Sequence, residues 1–330
     1  MMKRTTKTMI GIAVVGAVLL AGTMVFAGKK RAPRASGPLK AADAASVASL
    51  RRDVAALCAI GERSTVIPEN LTAAADLVER EFAAAGYKVE RQTYDVVRDA
   101  TRVDNVIVEV RGTTKPDEIV VIGAHYDCVT GTVGADDNAS GVAALLALAR
   151  QFVNVKPART LRFVAFANEE PPHFQSQDMG SWQYAKRCRD RRENVVAMVS
   201  LETIGYYDDA RGSQQYPAPL AALYPDTGNF IAFASNVGSR GLLSRCVKAF
   251  RAATNFPAES AAMPEAIPGI GWSDQWSFWQ FGWNAIMVTD TAPFRNPHYH
   301  RSSDRPNTLD YERLAHVVEG LAGVVNELIR

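Results

Sequence analysis

Two hydrophobic periods alternate along this chain, and their alternation predicts the fold. From Ala41 to Ile60, apolar residues fall at Val47, Leu50, Val54 and Leu57, the spacing of one helix face. A second helix is predicted over Ala73 to Ala85, with Leu77, Val78 and Phe82 inward and Gly86 as its stop. Val89 to Val97 and Val103 to Val110 then alternate like paired strands. Ile119, Val120, Val121 and Ile122 form an unbroken β-branched run, as expected of a strand covered on both faces. Ser140 and Gly141 open a helix with Val142, Leu145, Leu146 and Leu148 as its apolar positions. Further strands are predicted over Thr160 to Phe166, Val195 to Leu201, Asn229 to Ala234 and Ala285 to Val288. Helices are predicted over Met179 to Arg187, Leu242 to Ala253 and Tyr311 to Leu328. Strands alternating with helices imply an α/β fold, a mostly parallel twisted sheet with helices on both faces. Asp208 to Asp226 has no period and reads as a surface loop and candidate rim of a site.

Composition is that of an ordinary globular chain, and only the N-terminus departs from it. Residues 1–34 hold seven basic side chains and no acid, so the formal charge of +2 conceals an acidic body with 30 basic against 35 acidic residues. That balance gives no support for nucleic-acid binding. Lys3, Arg4 and Lys7 precede an uncharged run over residues 8–28, which Lys29, Lys30 and Arg31 close. Two readings stand: a cleaved signal peptide ending near Val25-Phe26-Ala27, or an uncleaved membrane anchor, since about 20 apolar residues cross a bilayer. Either implies export, to the periplasm or the cell exterior. Residues 35–40 read as a linker and 41–330 as a single catalytic domain. Of the four cysteines, Cys58 and Cys128 are expected as buried thiols, and Cys188 with Cys246 is the one candidate disulfide.

The chemistry sits at strand ends. His125 and Asp127 close the central strand two apart and so point the same way. Gly131 and Gly134 allow a tight loop before Asp136-Asp137. Glu169-Glu170 follow the next strand, Glu202 ends the one after, and His298 and His300 lie in the loop after the last. A parallel sheet gathers all of these on one edge, where α/β folds bind ligands. Two imidazoles among several carboxylates suit zinc, and the surplus of donors suggests two ions bridged by a carboxylate, roughly 3.5–4 Å apart.

These residues also carry a resemblance. His125-Tyr126-Asp127, Gly134-Ala135-Asp136-Asp137-Asn138-Ala139-Ser140-Gly141, Asn168-Glu169-Glu170, Leu201-Glu202, and Tyr299-His300 with Asp304 resemble the di-zinc aminopeptidase family of secreted bacterial leucyl aminopeptidases, aminopeptidase Y and glutaminyl cyclases. The phrases from Glu169 to Pro172 and from Trp272 to Trp279 look like a bacterial peptidase-like branch. The resemblance implies a zinc-dependent exopeptidase fold and a peptide substrate. It implies two zinc ions: Asp136 as the bridge, His125 and Glu202 on one ion, Glu170 and His300 on the other. It implies Glu169 as general base, Asp127 behind His125, and a cis peptide joining Asp136 to Asp137. Asp274 is a candidate pocket residue because glutaminyl cyclases use an acid in this region; Trp272, Trp276, Phe278 and Trp279 could wall an apolar side-chain pocket, with Trp276 taken as the candidate, and Tyr206, just after Glu202, is a similar case. Two rival readings follow from the same resemblance: a single-zinc glutaminyl cyclase, or a non-catalytic peptidase-like domain.

Overall fold

The computed structural model describes residues 38–217 and 220–330. The candidate leader at residues 1–34 therefore lies outside the described residues. Among those described, no helix is long and apolar enough to cross a membrane.

The chain enters through α1 (Ala44–Ala59), capped by the Asp43 carboxylate on the Ser46 N–H at 2.8 Å. It continues through α2 (Pro68–Ala84), which begins earlier than the apolar period suggested because Pro68 presets the first helical turn. The sheet then forms from β1 (Glu90–Val96), β2 (Thr101–Val110), β3 (Lys115–His125), β4 (Arg159–Phe166) and β5 (Asn194–Glu202). It is completed by β6 (Ile231–Ser235), β7 (Ala258–Ala262) and β8 (Ala285–Thr289). Between them lie α3 (Gly141–Phe152), α4 (Gly180–Asp190), α5 (Arg240–Ala253) and α6 (Gln275–Gln280), and α7 (Tyr311–Leu328) closes the chain. The strand order is β1-β2-β4-β3-β5-β8-β6-β7. Its middle, β4-β3-β5-β8, is parallel throughout, with antiparallel joins to β2 on one side and β6 on the other. The fold expected from the pattern is the fold observed. One strand escaped it: β7 reads Ala-Glu-Ser-Ala-Ala, residue types with little preference for strands, and it forms because β6 offers it a parallel edge.

The β3 run shows how the sheet is covered. Val120, Ile122 and Ala124 belong to the core shared with α1, α2, α3, α5 and α7, while Ile119 and Val121 belong to the core under α4 and α6. Each of these valines and isoleucines contributes about 1.5–3 kcal/mol of burial. The same division removes the candidate disulfide. Cys246 lies in the first core and Cys188 in the second, on opposite faces of the sheet, and all four cysteines are free and buried.

Chain order fixes where a site can form. From β3 the chain passes to β4 on one side and then to β5 on the other. That reversal leaves a crevice at the carboxyl end of β3, and His125 is its last residue.

Candidate metal centre

Two groups of side chains converge in this crevice. His125, Asp137 and Glu202 form one; Asp137, Glu170 and His300 form the other, and within each the ligand atoms all lie within 4.8 Å of one another. His125 Nε2 is 3.1 Å from Glu202 Oε2 and 3.4 Å from Asp137 Oδ1. His300 Nε2 is 3.1 Å from Asp137 Oδ2 and 3.4 Å from Glu170 Oε2. Asp137 thus turns one oxygen to each group.

The shared carboxylate is Asp137, which corrects the expectation of Asp136. Asp136 is spent on structure: its Oδ1 accepts the Gly205 N–H at 2.9 Å and its Oδ2 the Asn296 side-chain amide at 2.7 Å. The cis peptide is displaced by the same single residue and joins Asp137 to Asn138. Periodicity ends with the strand, so nothing in the spacing decides which of two adjacent loop carboxylates faces the crevice. Local sterics decide it. Gly134 holds φ at 51°, and a Cβ there would lie 2.1 Å from the Asp137 carbonyl oxygen and 2.5 Å from the Cys128 Cβ. The Asp304 carboxylate then takes the Asp136 and Asp137 N–H groups at 2.9 and 3.1 Å, and Asn138 bonds the Leu201 carbonyl at 2.8 Å.

Asp127 also does more than expected. Its Oδ1 stands 3.3 Å from His125 Nδ1, long for a hydrogen bond. Its two oxygens accept the Glu169 and Glu170 N–H groups, each at 3.1 Å, so it clasps the turn that carries both glutamates. Asn168 starts that turn at a positive φ of 56°. Glu202 is steadied by the Ser273 hydroxyl at 2.7 Å, itself 3.0 Å from Ser200. Glu169 is buried beside both groups and belongs to neither.

The electrostatics ask for positive charge. Burial, then the Asp137 charge, pushes the Glu170 carboxyl up to about 8, and burial raises Glu202 as well. Burial alone would lower the imidazoles, yet the carboxylates overcome it: Asp137 and Glu170 carry His300 up to about 10, and Glu202 foremost lifts His125. Asp137 moves the other way, because both imidazoles outweigh its burial. Burial lifts Glu169 well above the usual carboxyl range. Asp137 Oδ1 and Glu170 Oε1 are buried with no hydrogen-bond donor. Acceptors that converge without donors, with imidazole nitrogens among them, fit divalent zinc.

Beside the first group opens an apolar pocket of about 100 Å³. Glu202 and Tyr299 stand at its metal end, and Tyr224, Phe230, Trp272 and Phe294 are among its walls. Trp272 stacks on Phe294 with ring centres 6.3 Å apart. Gln214, Tyr216, Leu220 and Tyr224 come from the loop expected as a rim. The three candidate pocket residues do not line it. Asp274 is fully buried at the start of α6, where burial raises its carboxyl to about 7. Trp276 packs on the α4–α6 core, and Tyr206 gives its N–H to Asp290 at 2.8 Å with its ring edge-on to His298. His298 itself bonds Ser303 at 3.0 Å, outside both ligand groups.

Comparison with known proteins bears on this geometry. The chain is 38% identical over 262 residues to the "Uncharacterized protein YfbL" of Escherichia coli (strain K12), spanning 77% of this chain and 79% of that protein. The structure is similar to BSAP, a zinc aminopeptidase from Bacillus subtilis, with TM-score 0.69 and 14% identity over 86% of this chain and 95% of that one. It is similar also to the Fimbriiglobus ruber glutaminyl cyclase, with TM-score 0.64 and 20% identity over 91% of this chain and 99% of that one. At those identities the two structures speak for the fold. The sequence profile of peptidase family M28 matches residues 105–325, the stretch that holds the crevice, its two ligand groups and most of the sheet. Fold, donor chemistry and sequence thus converge: the chain belongs to peptidase family M28.

Proposed function

We propose that this peptidase is an aminopeptidase that works with two zinc ions. The observation that carries the reading is Asp137, whose two oxygens face two separate His/Glu pairs. His125 and Glu202 would hold one ion, Glu170 and His300 the other, with Asp137 shared. When bound, zinc lowers the pKa of a coordinated water toward about 7 and polarises the scissile carbonyl. The chain's own part is orientation and proton transfer. Asp127 fixes the turn so that Glu170 reaches its group while Glu169 stays out of it. Glu169 is buried beside both groups and joins neither, which suits a carboxylate that takes a proton from the attacking water and passes it to the leaving amine. The apolar pocket receives the side chain of the N-terminal residue, and the loop walls that close it on one side favour cleavage at a chain end.

Glu169→Gln tests the role of the base together with the metal count. The wild-type chain is expected to bind two zinc ions and to release the N-terminal residue from amino-acid arylamides in a chelator-sensitive way. The variant is expected to keep both ions and lose about 10²–10⁴ in kcat. Full activity in the variant would refute the mechanism. One zinc per chain with no hydrolysis, followed by turnover of an N-terminal glutamine peptide, would move the reading to a cyclase.

A further inference from the structure

Among the described residues, the largest fully buried side chain is that of Arg63, in the turn after α1, and neither the fold nor the proposed chemistry accounts for it. Every acceptor its guanidinium reaches is a backbone carbonyl. Nε donates to Tyr126 O at 2.7 Å. Nη1 donates to Val133 O at 2.6 Å and, more distantly, to Gly61 O at 3.4 Å and Leu57 O at 3.5 Å. Nη2 donates to Gly134 O at 3.2 Å. Burying a cation on carbonyls alone is costly, and an apolar side chain would fill the same space without that cost.

Its acceptors show what it does there. Tyr126 follows His125 directly, and Val133 and Gly134 lead into Asp136-Asp137. One planar fork therefore spans both ends of the loop between the first ligand and the shared one. The backbone reinforces the span: Cys128 N–H donates to Arg63 O at 3.0 Å, and the Arg63 N–H points at Cys128 Sγ at 3.2 Å. At the loop tip, Gly131 N–H donates to Glu62 at 2.8 Å. Only arginine offers five donors in a rigid plane with permanent charge, so lysine would keep the charge and lose the span.

We infer that Arg63 is a positioning residue that sets the separation of His125 and Asp137 and so prepares the centre for its metal. The inference rests on the zinc reading for its metal arm alone. The loop arm stands apart from it, because Cys128 lies inside the clamped loop and is fully buried.

The test compares the full chain with Arg63→Lys and Arg63→Gln. Zinc affinity is measured by chelator competition, and thiol labelling is mapped by peptide in the chelated protein. Both variants are expected to bind zinc about 10–100-fold more weakly, as when a residue that orients a ligand is lost. Labelling of Cys128 is expected to rise about 10-fold or more, while Cys188 and Cys246 stay protected in their separate cores. Wild-type zinc affinity with unchanged Cys128 protection would overturn the inference. So would equal exposure of all four cysteines in both variants, since Arg63 would then hold the whole fold and not this loop. A wild-type chain that binds no zinc would defeat the zinc reading, and selective Cys128 exposure would still decide the loop clamp.

Discussion

The ligand groups and the apolar pocket share Glu202 and the carboxyl edge of the sheet, yet they are built in opposite ways. The ligand groups draw on short phrases at the ends of successive parallel strands, and they are held by hydrogen bonds to backbone that few other residues could supply. The pocket is assembled from distant loops and from β7, with stacked rings as walls and few polar obligations. The first region is expected to tolerate little change in geometry, and the second to change selectivity when one ring changes. On that expectation a single fold keeps one chemistry while its substrate preference drifts.

The widest separation between the two regions is expected at the paired aspartates. Asp137→Asn removes the shared charge and should cost more than 100-fold in zinc affinity. Asp136→Asn disturbs only the support of that loop and should cost about 10–100-fold. Zinc content after dialysis at fixed free metal separates them, and equal losses would mean that Asp137 is not the bridge. A smaller and different effect is expected in the pocket. Trp272→Ala should lower kcat/KM for large apolar N-terminal residues by about 10–200-fold, spare small ones, and leave the zinc content unchanged. A uniform loss across substrates would show that the pocket does not read the side chain.

The least dramatic contrast is in stability. In the chelated protein, the folded Glu170 carboxyl sits at about 8 against an ordinary 4.5, with burial the main cause. Its contribution is fully present below the unfolded value and is lost as pH rises through the folded one. His300, raised to about 10, acts in the same direction from its ordinary 6.5 upward. Asp137 opposes them only below its ordinary 3.8. The chelated protein should therefore lose on the order of a few kcal/mol between pH 5 and pH 9. Calorimetric Tm measurements across that range test the sign, and a rising Tm would contradict it. Trp272→Ala should leave that slope intact, because the pocket wall carries none of these charges.

The two regions also differ in how legible they are. His125 and Asp127 could be read because a strand repeats every two residues, and Glu169, Glu170 and Glu202 because parallel strands bring their ends to one edge. The choice between Asp136 and Asp137 could not be read that way. It depends on the crowding at Gly134 and on Asp304, which is 167 residues from Asp137. Arg63 was missed for a related reason: its partners are carbonyls, which leave no trace in a sequence. Trp276 was singled out over Trp272 because four closely spaced aromatics do not say which of them faces a cavity. Trp272 is 41% exposed and lines the pocket, whereas Phe278 is fully buried in the core.

The Asp304 clasp also places the site in time. A nascent chain emerges from its N-terminus, so the strand bearing His125 is complete long before the carboxylate that receives the Asp136 and Asp137 N–H groups has been made. His300 comes only shortly before it. A chain interrupted between Thr289 and His300 would carry every strand of the sheet and the first ligand group, but not the second group or the clasp. The second ligand group and its clasp are thus completed only after every strand of the sheet has been made.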